Sequence, residues 1–175
     1  MTIEEAEIYF KKYDGHYFHM GREEPIERYR EFKELDIPET IIEKWRQEII
    51  DRKFSTMFDD PKDVWGKFFN VIYVISETET DHQRNGERLL DSLSRMSDID
   101  VQQKILVIET IADHNCRSFI RRKTDLTPRL NELMSSFMDF RFDPDDFPQT
   151  MGWENIQERY DSAVDDYKHA YDIDL

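Results

Sequence analysis

Two short acidic stretches hold the residue types and spacing best suited to binding a metal ion. "EEPIE" at 23–27 offers Glu24 and Glu27, and "EIID" at 48–51 offers Glu48 and Asp51. Three residues apart on a helix, two carboxylates share one face. Hard oxygen ligands of this kind suit magnesium, which is held by one or two carboxylates beside water and phosphate. A second cluster, "YDGHYFHMGREE" at 13–24, sets His16 three residues before His19, with Asp14 close by. Imidazole and carboxylate so arranged also ligate metals. The same stretch suits a packed corner, with Gly15 closing a helix in a left-handed cap and Tyr13, Tyr17, Phe18 and Met20 packed beneath it. A metal needs further ligands that the stretch does not supply, so the corner is the preferred reading. Glu79-x-x-His82 has the spacing used in di-iron helical bundles, but those sites need the motif twice with two further Glu, and here it occurs once.

The pairing of "EEPIE" with "EIID" resembles the E-E-x-x-E and E-x-x-D motifs of the all-α nucleotide pyrophosphohydrolases, over fewer than thirty residues of the chain. That resemblance implies magnesium held between helices by Glu24, Glu27, Glu48 and Asp51, acting on a nucleotide. In an antiparallel hairpin turning near Asp36, Glu27 and Glu48 stand level, each about 15 Å from the turn at 1.5 Å per residue. Direction argues the other way. At about 100° per residue, Asp51 points roughly 135° from the middle of the Ile41, Ile42, Trp45 and Ile49 stripe, and Glu27 roughly 160° from the Ile26, Tyr29 and Phe32 face. Pro25 also pushes Glu23 out of the helix. The carboxylates diverge towards solvent, so a magnesium-dependent hydrolase is the second reading.

Nucleophilic chemistry has little to build on. There is no Gly-x-Ser-x-Gly elbow and no phosphate-cradling glycine loop. The lone cysteine, Cys116, excludes an internal disulfide. On a helix it is expected as a small core residue, its neighbour His114 notwithstanding. No cofactor is called for.

Charge is the more informative signal. The chain carries a net charge of −15, which disfavours phosphate-rich nucleic acid and anionic lipid as partners. Residues 117–129 hold five bases against one acid, whereas 139–175 hold eleven acids against three bases. An acidic last helix packed near the basic island would neutralise part of it, yet the acidic excess is large enough to leave carboxylates unpaired. Asp161, Asp165 and Asp166, with Tyr167 among them, are therefore the expected binding residues for a protein partner with a basic groove. Tyrosine suits such a surface because its ring packs while its hydroxyl stays wet.

The elements that must position these residues are helices. Thr2 and Glu5 form a capping box opening a helix over 2–12. Pro25 starts a second, to Glu34, and a third ends near Phe54. Asp60 and Pro61 open a fourth, apolar nearly all round from Val64 to Ile75, which places it at the centre of a domain. The "NVIYVIS" run at 70–76 also has strand propensity, but its apolar pattern starts seven residues earlier without a turn. "ETETDHQRNG" at 77–86 reads as a loop, and Leu89 to Met96 as a short fifth helix. A sixth carries Val101, Ile105, Ile108, Ala112 and Phe119 and runs on to Arg122. Thr127-Pro128 opens a seventh, and an eighth starts near Thr150 and holds Trp153, Ile156, Tyr160, Ala163 and Tyr167. About eight helices and no strand predict an all-α fold, one domain over 1–175, packed as an antiparallel bundle or as a stack of helical hairpins. Trp45, Trp65, Phe69, Ile72, Ile105 and Ile108 are its expected core.

Composition agrees with that class. Charged residues are 36% of the 175, with twelve Phe, eight Tyr and three Trp to fill a core, well above the charge of an ordinary domain at about 25%. The start "MTIEEAE" lacks the layout of a signal peptide, and the longest uncharged run, "FFNVIYVIS" at 68–76, is under half the length of a membrane span. A cytoplasmic, non-enzymatic interaction protein (an adaptor, inhibitor or immunity-type binder) is the first reading.

Overall fold

A computed structural model of the chain describes residues 2, 4, 5, 8, 36–78, 81–139 and 156–173. Among these stand seven α-helices and no strand: α1 (Glu39–Thr56), α2 (Val64–Glu77), α3 (His82–Ser94), α4 (Val101–Ala112), α5 (His114–Arg122), α6 (Thr127–Met138) and α7 (Ile156–Ala170). The all-α class holds, and "NVIYVIS" is helical. The helix expected over 25–34 lies outside the described residues. No helix among those described is long and apolar enough to cross a membrane. The chain is organised as two compact units, Met1–Arg52 and Lys53–Leu175, with the boundary inside the continuous helix α1.

In the first unit the capping box forms as the spacing requires. The Thr2 backbone N–H donates to Glu5 Oε2 at 2.7 Å, and the Glu5 N–H donates to Thr2 Oγ1 at 3.2 Å. Hydrogen bonding to its ionised carboxylate, first from the Thr2 backbone N–H and then from the Thr2 side chain, holds Glu5 below the usual range. Along α1, Ile41, Ile42, Ile49 and Ile50 are buried. Between them Arg46, also buried, forms an ion pair with Glu43. The Trp45 side chain lies outside the description.

In the second unit α4 is the central helix, packed against α2, α5 and α7, while α2 also meets α3 and α5, and α3 meets α6. Phe68, Val71 and Ile75 of α2 and Ile105, Val107 and Ile108 of α4 are all fully buried, on two helices that pack against each other. Of the core set expected from sequence, Ile72, Ile105 and Ile108 are buried, but Trp65 and Phe69 are only half-buried. They flank the buried arc of α2 rather than lie within it. Trp65 has a polar reason for that edge position, since its indole N–H donates to Thr110 Oγ1 at 2.9 Å.

Buried Gln103 ties the starts of α2 and α4 together. Its Oε1 accepts from the Trp65 backbone N–H at 3.0 Å, and its Nε2 donates to Pro61 O at 2.9 Å and Asp100 Oδ2 at 3.0 Å. Asp63, which precedes α2, makes no cap of its own, and Gln103, 38 residues on from Trp65, satisfies one of the orphan donors of that helix. Asp60 meanwhile caps the 3-10 turn Pro61–Asp63 through the Lys62 N–H.

Two boundaries differ from expectation. The stretch 77–86 is not all loop, because α3 begins at His82. Its first inward positions are Asn85 and Gly86, both buried, so no apolar period announces them. A β-carbon on Gly86 would stand 2.7 Å from Leu126 Cδ1 and 3.0 Å from Thr124 Cγ2, which shows how closely α3 meets the α5–α6 connection. The expected sixth helix is two, broken at Asp113. That residue is extended (φ −61°, ψ 149°) and its carboxylate accepts from the Asn115 N–H at 2.9 Å, making it the N-cap of α5. An aspartate that bonds nearby backbone competes with helix continuation.

Candidate functional site

Helix α7 docks through one face and leaves a carboxylate face outward. Ile156, Ala163, Tyr167 and Ala170 are buried, whereas Glu158, Asp161, Asp165 and Asp166 are exposed. Two residues apart on a helix, Asp165 and Tyr167 point about 160° away from each other. Glu158, Asp161 and Asp165 follow at intervals of three and four, so they line one outward stripe. Asp161 Oδ1 accepts from Gln157 Nε2 at 2.8 Å. Like charges at these spacings repel by a few tenths of a kcal/mol each, and the opposite face must hold the helix against that.

Three tyrosines and two arginines do so. Tyr167 OH donates to Asn131 Oδ1 at 2.6 Å, Tyr171 OH to Ile111 O at 2.9 Å, and Tyr160 OH to Met138 O. Burial is the first cause raising all three hydroxyls above the ordinary tyrosine range, with Asp161 and Asp139 adding to it at Tyr160. Arg159 forms a two-pronged pair with Glu109 of α4, Nε to Oε1 at 2.7 Å and Nη2 to Oε2 at 2.8 Å, a hydrogen bond that raises the guanidinium further. Arg121 of α5 reaches Asp172 Oδ2 at 2.6 Å and Ala170 O at 3.2 Å. Asp172 is left-handed (φ 54°), and the next N–H, of Ile173, donates back to Lys168 O at 2.9 Å. This is a Schellman closure with aspartate where glycine is usual, and its carboxylate is used by Arg121.

Of the four expected binding residues, three are where a partner could reach them: Asp161, Asp165 and Asp166. Tyr167 is not. It is fully buried, and its hydroxyl meets Asn131 instead of solvent. Its place in the apolar stripe of the helix signalled that burial. Glu158 shares the exposed stripe, three residues before Asp161.

The basic island is largely consumed within the fold. Besides Arg121, Lys123 Nζ donates to Ser76 O at 2.8 Å and Thr78 O at 3.1 Å at the end of α2, and Arg129 pairs with Asp91. A cation on the last carbonyls of a helix also complements its dipole. Thr78 O additionally accepts from His82 Nε2 at 2.6 Å. A carbonyl can only accept, so the proton sits on Nε2. Glu79, the other half of that motif, is outside the described residues.

The remaining chemistry candidates fall only partly within the described residues. Glu48 is exposed, and Asp51 is half-buried and accepts from Gln47 Nε2 at 3.0 Å. Glu24, Glu27 and the His16/His19 corner lie outside the described residues. Among those described, no three His, Cys, Asp or Glu are grouped to hold a metal ion. Cys116 is buried, and its thiol is pushed up to about 12 by that burial, so it is a core residue and a poor nucleophile. Compared with known protein families, curated proteins and solved structures, the chain matches none.

Proposed function

We propose that this chain is a cytoplasmic, non-enzymatic interaction protein that uses the outward face of α7 to receive a protein partner with a basic surface. One observation carries the reading: Glu158, Asp161 and Asp165 form an exposed stripe, with Asp166 exposed besides, on a helix that Tyr160, Tyr167, Tyr171 and Arg159 pin to its neighbours. Pinning means that little backbone freedom is lost when the partner arrives. The net charge of −15 adds long-range attraction for a cation-rich surface and repulsion from nucleic acid and anionic lipid. An adaptor, an inhibitor or an immunity-type protein would each use such a face.

The test is association kinetics with a partner captured from the native cell. The parent should associate more slowly as salt rises, since exposed charges are screened beyond about 8 Å at physiological ionic strength. Replacing Asp161, Asp165 and Asp166 together with Asn should slow low-salt association at least several-fold and flatten the salt dependence, with dissociation less affected. If the triple variant associates as fast as the parent at low salt, the acidic face is a solvated surface only.

A further inference from the structure

We draw no further inference here: the strongest candidate, the half-buried aromatic stripe of Trp65, Phe69 and Tyr73 along α2, carries none because nothing in the structure shows what covers it.

Discussion

Gly66 and Gly86 both sit inside helices, where glycine costs about 1 kcal/mol relative to alanine, yet their surroundings give the same substitution opposite outcomes. A β-carbon on Gly66 would stand 2.3 Å from Asp63 Oδ1. That oxygen ends an exposed, flexible side chain that can swing away. Gly66→Ala should therefore raise stability by a few tenths to about 1 kcal/mol. On Gly86 the added carbon meets Leu126 and Thr124, and Leu126 is buried. Crowding of that kind costs about 1–3 kcal/mol, enough to erase the propensity gain. Gly86→Ala should leave stability unchanged or lower it, and urea denaturation of the two variants side by side would check the contrast. A higher midpoint for Gly86→Ala than for Gly66→Ala would mean that α3 is not pressed against the α5–α6 connection.

Helices differ in how plainly their residues announced them. Those with a continuous three-four apolar stripe, α2 and α6 above all, follow from the sequence almost to the residue. The start of α3 does not, because its inward residues Asn85 and Gly86 carry no apolar signal. The break at Asp113 was hidden for the converse reason: the apolar period from Val101 to Phe119 runs across it, and only the capping chemistry of the aspartate interrupts the backbone. Asp113→Ala should remove that cap and cost about 0.5–2 kcal/mol, read as a lower denaturation midpoint. For α7 the test is pH. The fold favours the neutral forms of Tyr160, Tyr167 and Tyr171. Their contribution is full below the unfolded tyrosine value of about 10 and falls as pH rises through the higher folded values. Stability should hold from pH 8 to 10 and then decline. In Tyr167→Phe it should start about 0.5–1.5 kcal/mol lower and decline less steeply above pH 10. An equal slope in the two proteins would mean that Tyr167 titrates freely.

On the scale of the whole molecule, the charge surplus was legible and its internal consumption was not. Counting residues gives −15, but not that Arg159 turns inward to Glu109 or that Lys123 closes α2. Such pairings join residues about fifty positions apart, and no local pattern encodes them. Self-repulsion of a net-negative chain is relieved by salt, so sodium chloride should raise the melting temperature. No three carboxylates are grouped to hold an ion among the described residues, so magnesium chloride at equal ionic strength should add little beyond that. A marked extra rise, lost in Glu48→Gln, would point to a specific carboxylate site and revive the hydrolase reading. The position of the unit boundary bears on where the polypeptide can be cut. Severing after Arg52 would divide α1 into Glu39–Arg52 and Lys53–Thr56, and the second piece is too short to stay helical alone. Phe54 and Phe58, on which Arg88 and Arg95 stack at 4.4 and 4.2 Å, would then hang from a frayed end. A shortened polypeptide meant to keep the second unit should begin before Glu39, so that the entire helix is synthesised with it.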